Sequence, residues 1–174
     1  MLCEDCQMEL VERKATAKAP YHYDVSGLSN VYLAGIVVYR CPRCKEEAPA
    51  IPRIEELHRA IARALIHKPG VLNGEEIRFL RKHAGFPAQK FAALLGIRPE
   101  HLSRVENGRT ASLGTPTDRL ARAIATTAND GEDAREMLLK MADILGRKGQ
   151  KAGHKPLFTL EQNHWRATPE KEAA

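Results

Sequence analysis

Cysteine occurs at four positions in the 174 residues, as two Cys-x-x-Cys knuckles: Cys3-Glu4-Asp5-Cys6 and Cys41-Pro42-Arg43-Cys44. Two residues between thiolates let both sulfurs of a tight turn face one ion, and two such turns complete a tetrahedral S4 shell. Residues 7–40 between the knuckles are long enough for a small hairpin that brings the turns together. The reading is one structural Zn2+ held by Cys3, Cys6, Cys41 and Cys44. Tetrahedral thiolate alone does not separate zinc from iron, so a rubredoxin-like iron centre stays open. Four thiolates fill the shell and leave no position for a catalytic water. Two disulfides would need an oxidising compartment, and no apolar leader-like stretch precedes Cys3. A thioredoxin-like redox pair would place a single Cys-x-x-Cys in a βαβ unit, a pattern the chain lacks.

Little else points to catalysis. Seven histidines are scattered without a paired metal-ligand spacing, and no nucleophile–base arrangement stands out. The expectation is a non-enzyme without a small-molecule substrate. No run of 18 apolar residues exists, so no membrane span is expected, and a reducing cytoplasm is the expected location. Residues 1–69 carry ten Lys/Arg against nine Asp/Glu, residues 70–146 eleven against ten, and residues 147–174 six against three. Within the second part, residues 78–109 hold seven basic side chains and two acidic ones, whereas residues 110–143 hold four and six. A basic face backed by an acidic one suits a polyanionic partner.

The elements that must position these residues follow from periodicity. Tyr21–Val25 and Val31–Arg40 are rich in β-branched and aromatic residues, with turn chemistry at Ser26-Gly27-Leu28-Ser29-Asn30. An antiparallel hairpin leading into the second knuckle is predicted. So small a unit buries too little apolar surface to be stable without metal, which makes the ion a folding element. Ile54, Leu57, Ile61 and Leu65 then recur at spacings of three and four, predicting an amphipathic helix over 53–67. His67-Lys68-Pro69-Gly70 ends it, and Asn73-Gly74 loosens the chain again.

Residues 74–145 are predicted wholly helical, in five segments at 75–84, 88–95, 99–106, 116–128 and 132–145, separated by Gly, Pro or Asn breakers. The last segment aligns Met137, Leu138, Met141 and Leu145, either as a dimer surface or as internal core. Beyond Gly146 the chain is polar and basic, and a mobile tail over 147–174 is expected, with a docking patch open at Leu157, Phe158, Leu160 and Trp165. The fold class is therefore α+β, organised as a zinc-binding β-hairpin domain with its helix (1–69), an all-α five-helix domain (70–146) and the tail (147–174).

Residues 85–108 have helix-turn-helix spacing: Phe91, Ala92 and Leu95 share one face, Leu102 and Val105 another, and Gly96 sits in the turn. The run Phe91-Ala92-Ala93-Leu94-Leu95-Gly96-Ile97 through Leu102-Ser103-Arg104-Val105-Glu106-Asn107-Gly108 resembles the Xre/phage-repressor (lambda-repressor-like) helix-turn-helix family. That resemblance implies a structural ion pair between Arg81 and Glu106. It also makes 99–106 the recognition helix, its N-terminal end entering the major groove. Available toward DNA are Arg98, Glu100, His101, Ser103, Arg104 and Asn107. Arg104 suits guanine O6 and N7, and Glu100 either accepts from cytosine N4 or orients Arg104 from one turn away. Arg98, Asn107 and Arg109 are expected on phosphate.

Joined to the double knuckle, residues 1–128 are similar to the MqsA-type (YgiT-type) antitoxins. In that family a zinc-binding N-terminal domain contacts a toxin, and a dimeric helix-turn-helix represses the operon. Gly35–Cys44 and Leu72–Lys82 carry the likeness at the second knuckle and at the entry to the repressor domain. The resemblance implies a homodimer, a palindromic double-stranded DNA operator and a toxin partner. A stand-alone Xre-family regulator with a structural zinc domain is the alternative. Two departures stand out. The family usually has Gly after each second Cys, where this chain has Gln7 and Lys45, so a different backbone angle is expected at the knuckles. The Gln that opens the first helix of the motif falls on Ala88, leaving Gln89 as the phosphate-contact candidate.

Overall fold

A computed structural model describes residues 1–129 and 157–168. Five strands and then five helices follow one another, and two strands close the described chain. These form two compact units. One gathers Met1–Asp24, Asn30–Ala60 and the C-terminal strands; the other gathers Val25–Ser29 and the helices from Ile61 onward. The mixed α+β class is as expected, with the four cysteines in the strand-rich part and the helix-turn-helix after it.

In the first unit, β1 (Val11–Lys14), β4 (Val37–Arg40) and β5 (Glu47–Ala50) make an antiparallel sheet of order β1-β4-β5. The register Val11↔Arg40 to Lys14↔Val37 sets the start of β1 beside the end of β4. The first knuckle precedes β1 and the second follows β4, so this one pairing brings all four cysteines to the same end of the sheet. Arg13 spans the sheet, its Nε and Nη2 donating to the Glu47 carboxylate at 3.0–3.1 Å.

The predicted hairpin is corrected here. Tyr21–Val25 and Val31–Arg40 do not form one two-stranded ribbon. Only β2 (Tyr21–His22) and β3 (Tyr32–Ala34) pair, and β4 turns away to join β1 and β5. Gly35 lies at the break with φ +83°, a left-handed conformation that lets the run 31–40 serve two sheets. β1 and β5 were illegible as strands because they are edges of the sheet. Apart from Val11 their residues are charged, small or proline, as suits edge positions.

A second correction concerns the C-terminus. Residues 157–168 are not a mobile tail: β6 (Leu157–Glu161) and β7 (His164–Thr168) form a hairpin whose first strand runs parallel to β3. Gln162 and Asn163 make its two-residue turn with φ +46° and +65°. That is the turn type whose twist matches a hairpin. Phe158 is fully buried and Trp165 nearly so, so the apolar patch seen in the sequence is used within this unit. Its core otherwise comprises Ala15, Tyr23, Leu33, Ile36, Val38 and Leu57.

The helix α1 (Ile54–Ile66) has the predicted stripe, except that Ile54 in its first turn remains 45% exposed. The boundary between the units falls within α1, earlier than the composition change at 69–70. Arg122 ties the carbonyls of Ile66, Lys68 and Gly70, just after that boundary, to α5. In the second unit follow α2 (Gly74–His83), α3 (Ala88–Leu94), α4 (Pro99–Glu106) and α5 (Thr115–Asn129). The predicted fifth segment, 132–145, with its Met137/Leu138/Met141/Leu145 stripe, lies outside the described residues.

Three of these helices stop in the same way. After α2, α3 and α4 a glycine (Gly85, Gly96, Gly108) takes φ between +67° and +75°. The two residues after each cap then bond back into the last turn, as Gly96 N–H to Ala93 O at 3.1 Å and Ile97 N–H to Ala92 O at 3.0 Å. This is the Schellman pattern, which satisfies carbonyls that the helix leaves open. α2 begins with a capping box, Asn73 Oδ1 accepting from Glu76 N–H and Glu76 Oε2 from Asn73 N–H. Asn73-Gly74 is therefore a helix start and not only a loosening of the chain.

Candidate metal centre and nucleic-acid interface

The two knuckles are built alike. Cys3 N–H donates to Met8 O (2.9 Å) and Gln7 N–H to Cys3 O (3.0 Å); Cys41 N–H donates to Glu46 O (2.9 Å) and Lys45 N–H to Cys41 O (3.1 Å). Gln7 and Lys45 lie at φ +57° and +67°. The expectation of a different backbone angle at these non-glycine positions is thus overturned, because the tight turn requires a left-handed residue whatever its type. Each of the two reaches back to the carbonyl three residues earlier, Gln7 Nε2 to Glu4 O and Lys45 Nζ to Pro42 O, at 3.2 and 2.7 Å.

The four Sγ atoms lie within 4.8 Å of one another. The nearest pairs are across the knuckles, Cys6–Cys41 at 3.3 Å and Cys3–Cys44 at 3.5 Å, with Cys6–Cys44 at 3.9 Å. A tetrahedral ion with metal–sulfur bonds of about 2.3 Å requires sulfurs about 3.8 Å apart, and the cluster matches. The sulfurs are far outside disulfide length, and all four thiols are free. Cys3 and Cys41 are buried, Cys6 is half-buried and Cys44 exposed, so the centre sits at the surface with one open edge. Burial works against ionisation of Cys41, yet the backbone N–H groups of Cys44 and Arg43 and the Cys6 thiol outweigh it and bring that thiol down to about 6. The N–H groups of Cys44 and Arg43 thus favour a thiolate at Cys41, the form in which sulfur binds metal, whereas hydrogen bonding among the cysteines raises the Cys6 and Cys44 thiols. Four cysteines are thus placed to bind one metal ion.

In the second unit, α3 and α4 cross through Phe91, Ala92, Leu102 and Val105, all fully buried. Arg81 on α2 grips the end of α4. Its Nε and Nη2 donate to the two carboxylate oxygens of Glu106 at 2.7 and 2.9 Å, and its Nη1 donates to Phe86 O at 2.9 Å. Gly74 lies against the same place, for a Cβ there would stand 1.9 Å from Val105 O. Arg78 adds hydrogen bonds to Glu106 O and to Asn107 Oδ1.

The sequence-predicted DNA contacts divide. Gln89, Arg98, Glu100, Ser103, Arg104 and Arg109 are exposed and His101 is half-buried. Arg98, Glu100, His101, Ser103 and Arg104 ride on α4 or its cap, with Pro99 at the first helical position where its missing N–H costs nothing. Among the described residues no ion pair joins Glu100 to Arg104, so the orienting role weighed for Glu100 is absent from this structure. Asn107 differs from expectation. Its Nδ2 donates to Ser103 O at 2.8 Å while its Oδ1 accepts from Arg78, so the amide closes α4.

Sequence reasoning missed the most deeply buried polar pair. Arg122 is 0% and Asp118 1% exposed, with Arg122 Nε donating to Asp118 Oδ2 at 2.9 Å. Asp118 Oδ1 accepts from Leu72 N–H at 2.8 Å, so the pair fastens the segment 66–72 to α5. Burial pushes the Asp118 carboxyl up, opposed by Arg122 and the Leu72 N–H. The available signal was the i,i+4 spacing in line with Ala121 and Ala125 on the buried face.

No helix among the described residues is long and apolar enough to cross a membrane. No match to the chain was found among curated proteins or solved structures. Residues 77–127 match the helix-turn-helix family model, a span running from α2 to α5 and including the Arg81–Glu106 pair. Those residues are an Xre-family helix-turn-helix domain, a DNA-binding type, in a chain that also carries a four-cysteine cluster.

Proposed function

We propose that this chain is a sequence-specific transcriptional repressor and the antitoxin of a type II toxin–antitoxin pair. Its helix-turn-helix binds a palindromic operator as a homodimer, and its four-cysteine unit, shaped by one structural Zn2+, binds the toxin. The observation that carries the reading is the occurrence, in one chain, of a closed S4 cluster and an Xre-type reader. Zinc would be held by Cys3, Cys6, Cys41 and Cys44, and bound there it supplies cross-linking of the two knuckles and no chemistry at a substrate.

The reader works by placing α4. Arg81, Glu106 and Gly74 fix α4 against α2, so that the outward residues Glu100 and Arg104 meet base edges in register while Gln89, Arg98 and Arg109 meet phosphate. One short helix makes few base contacts; two half-sites about one helical turn apart supply the rest, which is why a dimer and a palindrome go together. On the strand-rich unit, Met1, Leu2, Met8 and Val11 are 43–75% exposed around the first knuckle. Glu4, Asp5, Glu9 and Glu12 are exposed between them, and residues 1–12 hold no Lys or Arg. An apolar surface rimmed by acid suits a basic protein partner.

The test is affinity capture of the tagged chain from its native host, followed by mass spectrometry, with operator footprinting on the DNA upstream of its own gene. Recovery of a small basic partner that is lost on Met8→Glu/Val11→Glu substitution supports the antitoxin reading. Footprinting of a palindrome without any such partner supports the stand-alone regulator instead.

A further inference from the structure

The chain leaves the strand-rich unit after Ala60 and returns to it at β6, about a hundred residues later. The hairpin that returns is held at two places, and both continue strands that the cysteine knuckles bracket. On one side β6 pairs with β3 through three residues, Tyr32↔Leu157, Leu33↔Phe158 and Ala34↔Thr159. β3 runs through Gly35 and Ile36 into β4, which ends at Cys41. On the other side Trp165 Nε1 donates to Pro52 O at 3.0 Å, Glu56 Oε1 accepts from Trp165 N–H at 3.4 Å, and His164 Nδ1 lies 2.9 Å from Arg53 Nη2 and 3.3 Å from Glu56 Oε1. Pro52 follows β5, which begins at Glu47, three residues after Cys44. Gly35 is the closest approach: a Cβ there would lie 2.9 Å from Leu160 O.

We propose that the C-terminal hairpin is a metal-dependent strap. It is docked while the four cysteines hold their ion and released when the ion is lost, although none of its residues touches the cluster. The inference rests on the metal reading above. The second knuckle joins β4 to β5, and the ion ties that knuckle to the first; without it the β4–β5 register rests on a four-residue pairing, the knuckle's own hydrogen bonds and Arg13–Glu47. Their continuations, β3 on one side and 52–56 on the other, carry the strand pairing and the Trp165 and His164 contacts of the described hairpin. A three-residue pairing and two buried aromatic side chains do not hold a hairpin on ground that has moved. Release bares the edge of β3.

The experiment uses the full chain. Metal content is measured on the purified protein, Zn2+ is removed with a chelator, and one equivalent of Zn2+ is then restored. Amide exchange and the emission of Trp165, the single tryptophan, are followed throughout. Exchange in 157–168 should accelerate by about tenfold or more as metal leaves and Trp165 emission should shift to the red. α2–α5 should keep their protection, and both changes should reverse with one equivalent of Zn2+. A metal-free chain with 157–168 still protected overturns the strap alone. Loss of protection across both units together also overturns it, since that is global unfolding. A purified chain without metal removes the metal reading and the strap with it.

Discussion

Replacing Arg81 by Met should strongly destabilise the helix-turn-helix, because the guanidinium holds a buried carboxylate. Glu106 has a side chain 7% exposed, and Arg81, 11% exposed, meets both its oxygens. The remaining cation, Arg78, stands 3.8 Å away and is 35% exposed. Met preserves the stem but strips the guanidinium. That leaves a buried carboxylate short of its bidentate partner and Phe86 O without its donor. Breaking a buried pair from one side costs about 3–5 kcal/mol, against a total of about 5–15 kcal/mol for a domain. At about 4–8 °C per kcal/mol for a domain of this size, the melting temperature of this unit should fall by at least about 12 °C. The companion variant Arg81→Met/Glu106→Leu removes both charges and should recover part of the loss, because no ion is then left buried. Urea unfolding followed by helical circular dichroism, with Zn2+ kept saturating, reads both. A loss under about 1 kcal/mol for Arg81→Met, or a double variant no more stable than the single, would refute the argument that the pair anchors α4 to α2.

The other expectations concern the reader, the packing and the knuckles. Arg104→Ala should weaken operator binding by about 1–3 kcal/mol with little change on random DNA. Arg109→Ala should weaken all sequences alike and lower the salt slope by about one, both read by fluorescence anisotropy titrations. Gly74→Ala sets a Cβ 1.9 Å from Val105 O and should destabilise the same unit by about 1–3 kcal/mol or more in urea. Lys45 holds φ +67°, where an L-residue is penalised by about 1–2 kcal/mol. Lys45→Gly should therefore raise the melting temperature of the metal-loaded chain and Lys45→Val lower it. Arg53 holds the Glu56 carboxyl below its ordinary value, with His164 and Trp165 N–H adding and burial opposing. Its stabilisation of the hairpin is then fully present above the ordinary carboxylate value of 4.5 and fades as pH falls through the lowered one. Trp165 emission should show this as a difference between wild type and Glu56→Gln that shrinks in acid.

What could be read without coordinates was chemistry carried by short spacing. Cys3/Cys6 and Cys41/Cys44 declare a ligand pair each, because two intervening residues leave only one turn. Gly85, Gly96 and Gly108 mark where α2, α3 and α4 stop, since each φ above +65° penalises other residues. The apolar positions of α3 and α4 follow a 3.6-residue period that survives packing unchanged. All these signals lie within one turn or one helix of the residues they concern.

Tertiary structure decided the rest, because it depends on contacts between residues far apart in sequence. Which segment pairs with β4 was settled by β1 and β5, whose Val-Glu-Arg-Lys and Glu-Ala-Pro-Ala sequences carry no strand signal at a sheet edge. Nothing along the chain beyond their i,i+4 spacing singles out Arg122 and Asp118; three carbonyls and a backbone N–H from residues 66–72 close around them in the fold. The C-terminal hairpin reads as a polar tail until β3 offers its edge and Gly35 makes room for Leu160. Ligand type and helix period are properties of neighbours along the chain. Strand partnership and the burial of charge are properties of neighbours in space, and only the folded chain brings those together.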